Sequence, residues 1–214
     1  MIALEIEMNK LFRHFGFQLS KNQISMFAKF HDILLQENKK INITRLHRFE
    51  DIVIKHFVDS IIINRHVWLP NNLMDIGTGG GFPGIPLKIV TPKLNLTLVE
   101  PVLKRVNFLK LVRKELNLNK VNIIGKKVDL DFSYPAEGIV TRAFKSIDHT
   151  LNIVSRSLQV GGRVFFMKGP KADVDLASIT NETKKIFSIA SDVSYELPNT
   201  SYKRRIIVFQ KEWE

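Results

Sequence analysis

Cysteine is absent from this chain of 214 residues, and its absence excludes several kinds of site at once. Without a thiol the protein forms no disulfide, binds no zinc ion through cysteine and has no cysteine nucleophile. Such a composition is typical of a protein of the cytosol, where thiols stay reduced and disulfides are rare. We therefore expect a cytoplasmic protein, and we expect no metal site.

Long hydrophobic runs are also missing, and acidic residues are scarce. No apolar stretch approaches the length of a membrane span, and Glu5 and Glu7 stand where a secretory signal would carry basic residues. The chain has 21 acidic residues against 32 lysines and arginines, a formal net charge of +11 with a pI near 9.8. We expect no membrane association, and the excess of positive charge favours a polyanionic partner such as nucleic acid.

The order of the hydrophobic patterns predicts an N-terminal helical extension, residues 1–68, before an α/β domain. One helix should end near Gly16, and a second should begin after Ser20, which has Gln23 at the spacing of a capping box. A third helix is predicted from Phe49 to about Val67. Because these helices precede the first strand, we expect them to form a cap or a platform for the substrate.

Residues 69–214 alternate short apolar strands with helical stretches, which is typical of βαβ units and a mostly parallel sheet. The last two predicted strands are joined around residues 198–201 by a connection too short for a helical crossover, so they should pair antiparallel. The fold class is therefore α/β, a Rossmann-like domain of seven strands. The predicted strands are residues 73–76, 94–99, 121–124, 138–141, 163–167, 188–196 and 205–210.

A glycine-rich loop, Gly77–Gly81, directly follows the first predicted strand. This edge of an open α/β sheet is where ligands bind, and glycines let a ligand approach the main chain closely. Gly79, Gly81 and Gly84 also match the dinucleotide fingerprint, with Glu100 at about the right distance beyond them. A nicotinamide cofactor is therefore one alternative for this loop.

Asp75 helps to choose between cofactors. Its carboxylate stands two residues before the first glycine, where it would repel a pyrophosphate but attract the ammonium and the sulfonium of S-adenosylmethionine. Glu100, at the end of the second strand, suits the ribose hydroxyls of either cofactor. The sequence thus favours S-adenosylmethionine, although a turn without a ligand, with Asp75 as a helix cap, is a further alternative.

Three segments closely resemble the family of bacterial ribosomal RNA small subunit methyltransferase G, also called glucose-inhibited division protein B. They are Asp75–Leu87, Thr97–Glu100 and Thr141–Phe144, and the Gly-Phe-Pro-Gly-Ile-Pro run within the first is much more specific than a bare glycine motif. The segments Asn42–Thr44, Lys55–Ser60 and Met167–Gly169 are also similar to motifs of that family. The resemblance covers roughly residues 10–170.

The resemblance implies that the protein methylates N7 of one guanine in 16S ribosomal RNA, using S-adenosylmethionine. Its partner would be 16S ribosomal RNA or the small ribosomal subunit. The implied cofactor contacts are Gly77, Phe82, Val128, Asp129 and Arg142. To these we add Asp75, Thr78, Gly79 and Glu100 from the glycine loop and its acid.

This chain departs from the family pattern at two cofactor positions. The family often has alanine and glutamate where Val128 and Asp129 stand, and aspartate and serine where Glu100 and Pro101 stand. An acidic residue is kept at both places, so the departures leave the implied roles intact.

The residue types also bear on the acceptor atom. Guanine N7 has a free lone pair and no proton, so we expect no general base. Covalent methylation at C5 of a pyrimidine needs a cysteine, which this chain lacks. Methylation of an exocyclic amine commonly uses an Asp/Asn-Pro-Pro-aromatic stretch after the fourth strand, where Thr141–Phe144 stands instead. A ring nitrogen is therefore favoured.

Arg142 is the predicted catalytic residue, in a positioning role, at the carboxyl edge of the fourth strand. Its guanidinium suits the carboxylate of the cofactor or the Hoogsteen edge of guanine, and a structural ion pair with an acid is the alternative. Lys168, at the end of the fifth strand, could approach the RNA backbone, and a solvated lysine is the alternative. Other functions left open are a methyltransferase for another RNA base or a protein, a nicotinamide-dependent oxidoreductase, and a non-catalytic RNA-binding module.

Overall fold

The computed structural model describes residues 2–170, 172–197 and 200–213, and it contains one seven-stranded sheet in the order β3-β2-β1-β4-β5-β7-β6. All seven predicted strands are confirmed. β5 begins at Leu158, earlier than predicted, because Gly161 and Gly162 interrupt the apolar pattern by which its start would be recognised. The strands are β1 (Asn72–Ile76), β2 (Asn95–Val99), β3 (Val121–Ile124), β4 (Ala136–Arg142), β5 (Leu158–Lys168), β6 (Phe187–Glu196) and β7 (Lys203–Lys211).

Strand direction divides the sheet into a parallel part and an antiparallel edge. The pairs β1 with β2, β1 with β4, β2 with β3 and β4 with β5 are parallel. β7 pairs antiparallel with both β5 and β6, which confirms the prediction for the last two strands. Pro198 and Asn199, in the connection between those two strands, lie outside the described residues.

Helices cover both faces of the sheet and precede its first strand. The α-helices are α1 (Ile2–His14), α2 (Lys21–Ile41), α3 (Phe49–Ile52), α4 (Asp59–Ile61), α5 (Gly84–Val90), α6 (Leu103–Glu115), α7 (Ile147–Val154), α8 (Ala172–Ala177) and α9 (Asn181–Ile186). A π-helical turn, Val53–Val58, joins α3 to α4, and 3-10 turns occupy Ile62–Arg65 and Ser155–Ser157. No helix in the described ranges is long and apolar enough to cross a membrane.

The predicted end of the first helix and the predicted start of the second are confirmed. Ser20 accepts a hydrogen bond from the Gln23 N–H, and the Gln23 side chain accepts one from the Ser20 N–H, as a capping box requires. Gly16 follows α1 with φ +74°, a conformation that favours glycine. The third predicted helix is wrong in detail, because the π-helical turn divides it and its last turn ends at Arg65.

The extension packs directly on one face of the sheet. Phe30 of α2 stacks near Phe57, Phe82 and Phe108, with ring centroids 5.4, 5.5 and 6.5 Å apart, so that aromatic rings from the extension, the glycine-loop region and α6 meet. The opposite face of the sheet has a separate apolar cluster, to which Leu151 of α7 contributes. The extension therefore packs against the sheet through a shared aromatic cluster.

Candidate cofactor and acceptor site

The carboxyl ends of β1 and β4 form the point at which the strand order reverses. β1 is followed along the chain by β2 on one side, whereas its other neighbour, β4, is followed by β5 on the opposite side. Ligands of open α/β sheets bind in the crevice outside such a switch point. Asp75 lies beside Val140 of β4, and Arg142 ends that strand, so the predicted loop and the predicted arginine lie at this crevice.

Glycine is needed at the positions of this loop for different structural reasons. Gly77 and Gly79 have φ +65° and +58°, which other residues rarely adopt. A Cβ on Gly77 would overlap the Phe144 ring, whose Cε2 lies 2.9 Å from that position. A Cβ on Gly79 would have the Gly77 carbonyl oxygen, 4.0 Å away, as its nearest neighbour. Gly79 therefore presents open backbone to a ligand, whereas Gly77 makes room for an aromatic ring.

Asp75 is fully buried and serves two purposes. Its Oδ2 accepts hydrogen bonds from the Thr78 hydroxyl at 2.6 Å and from the Gly84 N–H at 2.8 Å, which caps the start of α5. Its Oδ1 has no hydrogen-bond partner among the described residues. Burial raises the pKa of Asp75 to about 7, against the lowering effect of those two hydrogen bonds. The unpartnered Oδ1 would attract a cationic ligand. The hydrogen bond from Gly84 agrees with the alternative that Asp75 serves as a helix cap.

The dinucleotide fingerprint has a structural explanation here. The Gly84 N–H, at the start of α5, donates to Asp75, so a pyrophosphate would have to compete with a buried carboxylate for this helix end. A Cβ on Gly84 would lie 2.5 Å from the Leu98 side chain, and one on Gly81 would overlap Ile85. These two glycines allow close packing of α5, and their arrangement disfavours a nicotinamide cofactor.

Glu100 contacts the glycine loop through its side chain. Its Oε2 accepts a hydrogen bond from the Gly79 N–H and its Oε1 accepts one from the Val102 N–H, each at 3.0 Å. The Glu100 side chain is only 3% exposed, and Arg105 lies 3.8 Å away. Each carboxylate oxygen can accept a second hydrogen bond, so Glu100 can still bind ribose hydroxyls.

Val128 and Asp129 follow β3 at the same edge of the sheet. Val128 is buried in an apolar cluster with Ile76 and Val99, the last residues of β1 and β2. Asp129 is half-buried, and its carbonyl oxygen accepts a hydrogen bond from the Phe132 N–H at 3.1 Å. The pair therefore lies near the carboxyl ends of β1 and β2, the strands that carry Asp75 and lead to Glu100.

Arg142 faces the extension. Its Nη1 donates to the Lys55 carbonyl oxygen at 3.1 Å and to Asp59 Oδ2 at 3.2 Å, and its Nη2 lies 3.3 Å from His56 Nδ1. The structural ion pair that the sequence left as an alternative is thus present. Phe82 lies beneath the same guanidinium, 5.3 Å from ring centroid to Cζ. A direct contact of Arg142 with the cofactor or the guanine stays a prediction.

The His56 side chain is uncharged and connects the extension to Arg142 by hydrogen bonds. Because arginine only donates, Nδ1 must accept from Arg142, so the ring carries its proton on Nε2 and donates it to Thr44 Oγ1 at 2.8 Å. The ring stacks on Phe82 with a centroid distance of 4.3 Å. Burial, together with the charge of Arg142, lowers the pKa of His56 to about 3. It therefore cannot act as a general acid near neutral pH.

Asp59 and Arg204 complete an ion cluster that sequence reasoning missed. Asp59 Oδ1 accepts a hydrogen bond from Arg204 Nε at 2.8 Å, while its Oδ2 binds Arg142. Both His56 and Asp59, which belong to the segment Lys55–Ser60, contact Arg142. No local signal pointed to the pairing of Arg204 with Asp59, because the two residues lie 145 positions apart along the chain.

The segment 42–48 forms a wall beside the glycine loop. The Asn38 side chain donates to the Thr44 carbonyl oxygen and accepts from the Thr44 N–H, both at 2.8 Å. Ile43, next to Thr44, packs against Gly80. Its Cγ2 atom would lie 2.6 Å from a Cβ placed on that glycine, so it fills the space that a side chain at position 80 would need. The extension therefore touches the predicted cofactor loop directly.

Within the described ranges, no three or more histidine, aspartate or glutamate side chains are grouped so that they could hold a metal ion. The ionisable side chains of the crevice instead bind arginines, backbone N–H groups or hydroxyls.

Solved structures resemble this chain at the level of the fold. A SAM-dependent methyltransferase from Aquifex aeolicus aligns with 79% of this chain and 97% of its own, at a TM-score of 0.58 and 15% identity. Such a likeness supports the Rossmann-like methyltransferase fold, which the strand order also shows.

Sequence comparison identifies much closer relatives. Ribosomal RNA small subunit methyltransferase G 2 of Bdellovibrio bacteriovorus is 43% identical over 94% of this chain and 79% of the relative. Ribosomal RNA small subunit methyltransferase G of Carboxydothermus hydrogenoformans is 33% identical over 97% of this chain and 92% of the relative. The family model described as rRNA small subunit methyltransferase G matches residues 23–207. The chain therefore belongs to the family of ribosomal RNA small subunit methyltransferase G.

Proposed function

We propose that this protein transfers the methyl group of S-adenosylmethionine to N7 of a guanine in 16S ribosomal RNA. The observation that carries the proposal is the open backbone of Gly79 between two buried carboxylates, Asp75 and Glu100, at the switch point of a chain of this family. The family supports ribosomal RNA as the substrate, and the net charge of +11 suits a polyanion.

The residues at the crevice fit S-adenosylmethionine. Asp75 Oδ1 is the buried, unpartnered oxygen toward which a cationic group would be attracted, and Glu100 would accept the ribose hydroxyls. Val128 and Asp129 would border the adenosine, and Thr78 and Phe82 hold the loop in place. When bound, the cofactor supplies a methyl group on a sulfonium, which makes the transfer an in-line displacement.

The surroundings of Arg142 favour an acceptor that needs no deprotonation. His56 has both ring nitrogens in hydrogen bonds, and Asp59 binds two arginines, so neither is placed to remove a proton. A ring nitrogen with a free lone pair needs only orientation and exclusion of water. Arg142, held by the extension, would orient the acceptor or the carboxylate of the cofactor.

The small ribosomal subunit, or its free 16S RNA, is the partner that we propose, and the protein would then act in the cytoplasm, where ribosomes assemble. The test is to incubate the protein with S-adenosylmethionine and either form of the RNA, and to map N7-methylguanine afterwards. Methylation at a single guanine would support the proposal. Methyl incorporation confined to another atom, or to ribosomal proteins, would contradict it.

A nicotinamide-dependent oxidoreductase is the alternative class, and cofactor binding separates the two. S-adenosylhomocysteine should raise the melting temperature of the protein, because a ligand that binds only the folded state stabilises it. NAD at the same concentration should leave the melting temperature unchanged. The reverse result would favour the oxidoreductase.

A further inference from the structure

A basic pocket of about 400 Å³ lies beside the cofactor crevice, at the carboxyl ends of β4 and β5. Of the predicted cofactor residues only Arg142 borders it, so it is a separate space that shares one wall with the crevice. The charged side chains of its lining are Lys55, Asp59, Arg142, Lys168 and Arg204.

Among the described residues that line this pocket, Asp59 is the only carboxylate, against four cationic side chains. It binds Arg142 and Arg204 together and can neutralise only one of them. Lys55 pairs with Asp51 at 2.7 Å and Lys168 with Asp175 at 2.8 Å, and neither of these acids is part of the lining. The pocket therefore keeps an uncompensated positive charge even when every ion pair is made.

The cations are arranged to bind an anion with several acceptor oxygens. Arg204 uses Nε for Asp59 and Nη1 for the Lys203 carbonyl oxygen, and in the part of the chain described its Nη2 has no hydrogen-bond partner. The Lys168 ammonium is held at the end of β5 by the Lys145 carbonyl oxygen at 3.0 Å. A guanidinium edge beside an ammonium suits a phosphate group.

The lining suits a phosphate better than a nucleobase. A base would need an uncovered aromatic face, but the ring in the lining, His56, stacks on Phe82 and lies against Arg142. The backbone at this wall is also strained, since Ala143 has φ +52°, a conformation that residues other than glycine rarely adopt. Such strain is common at ligand sites.

We propose that this basic pocket binds a backbone phosphate of the RNA next to the target guanine. This inference rests on the proposed function and adds a named phosphate site to it. Phosphate contacts position a nucleic acid without reading its sequence. The phosphate would be bound by Lys55, Lys168 and Arg204. Because Arg142 borders both the pocket and the cofactor crevice, the nucleotide next to that phosphate would then lie at the crevice.

The test compares three charge-removing variants, Lys168→Gln, Lys55→Gln and Lys184→Gln. Lys184, on α9, is exposed and lies outside the pocket lining, so it is the matched control for loss of one charge. Binding of 16S ribosomal RNA is measured across a range of salt concentrations with saturating S-adenosylhomocysteine. Affinity for S-adenosylhomocysteine alone is measured separately.

Each pocket variant should weaken RNA binding severalfold and flatten the salt dependence by roughly 0.7–0.9 in log–log slope, the contribution of one phosphate contact. Affinity for S-adenosylhomocysteine should stay unchanged, and Lys184→Gln should behave like wild type. Arg204→Lys, which keeps the charge but loses the fork, should weaken binding while it keeps the slope.

If Lys168→Gln and Lys55→Gln match Lys184→Gln in affinity and slope, the phosphate site is wrong. The proposed function is judged separately, by whether the wild-type protein methylates guanine N7. Wild-type methylation together with unchanged pocket variants would overturn this inference alone. An absence of wild-type methylation would overturn the proposed function whatever the slopes are.

Discussion

Asp75 is the residue at which structural and functional demands conflict. Its carboxylate is fully buried, one oxygen caps α5 and the other lacks a partner among the described residues. A buried charge without full pairing opposes folding unless a ligand compensates it. The unpartnered Oδ1 therefore costs the unliganded protein stability, which a cationic ligand bound at Asp75 would restore.

The raised pKa of Asp75 leads to a prediction for stability. Its pKa is about 7 in the folded protein and 3.8 when unperturbed, so the folded state binds the proton more tightly and its stability falls as pH rises toward 7. Asp75→Asn removes this titration. Between pH 5 and pH 8, the unfolding free energy of the wild type should fall by roughly 2–3 kcal/mol relative to the variant.

Urea unfolding of both proteins without cofactor, at pH 5 and pH 8, measures this difference. All other titrating groups are common to the two proteins, so their contributions cancel. An equal difference in unfolding free energy at both pH values would show that Asp75 titrates normally.

Gly77 and Gly79 provide a matched pair of substitutions. Gly79→Ala should cost about 1–2 kcal/mol of stability from its positive φ, and it should lower affinity for S-adenosylhomocysteine because the new methyl group points into open space. Gly77→Ala should destabilise the protein more, because the Phe144 ring must also move. Chemical unfolding and calorimetric titration measure the two effects, and equal destabilisation by both would contradict the assigned packing role of Gly77.

At the scale of elements, the extension controls the site through a few specific contacts. The π-helical turn carries Lys55 and His56, and the Asp59 N–H that follows it contacts the Ile54 carbonyl, five residues back. In this arrangement the Lys55 carbonyl, His56 Nδ1 and the Asp59 carboxylate all converge on Arg142. π-helical turns often occur at functional sites, and this one joins the extension to the end of β4.

A substitution of Asn38 tests whether the wall at 42–48 contributes to cofactor binding. Asn38→Ala removes both hydrogen bonds to Thr44, which should cost about 1–3 kcal/mol and loosen the segment that packs on Gly80. We expect the KM for S-adenosylmethionine to rise severalfold. Asn22→Ala is the control on the same helix, since among the described residues the Asn22 side chain bonds only the Met26 sulfur. If both variants have the wild-type KM, the wall has no part in cofactor binding.

At the scale of the whole molecule, the extension and the sheet share one apolar core. Phe12, Phe27 and Phe57 belong to the same buried cluster as Phe82 and Leu98. The division into an extension of residues 1–68 and a domain of residues 69–214 describes order along the chain, and we propose that the two parts fold as one unit.

Removal of residues 1–68 tests this proposal. The fragment 69–214 should fail to unfold cooperatively, because the aromatic cover of Phe82 and Phe108 is lost and a large apolar surface is exposed. The full chain should unfold in one transition. Circular dichroism and amide hydrogen exchange measure both, and a fragment with native protection of the sheet would show that the extension is a separate domain.

The sequence by itself determined the strands, their approximate ends and the glycine loop. These features depend on local patterns, namely short apolar runs, turn residues and a carboxylate at a fixed spacing from glycines. The capping box at Ser20 was predictable for the same reason. The family was recognisable because the run Asp75–Leu87 is a local motif.

Only the tertiary structure decided which side chains meet across the site. Arg142 binds Asp59 because β4 ends against the extension, and Arg204 joins them because β7 lies antiparallel beside β5. The π-helical turn was hidden for a related reason, since its apolar spacing also fits an α-helix. Pairings between residues 83 and 145 positions apart depend on how elements pack in three dimensions, and no periodicity in the chain encodes them.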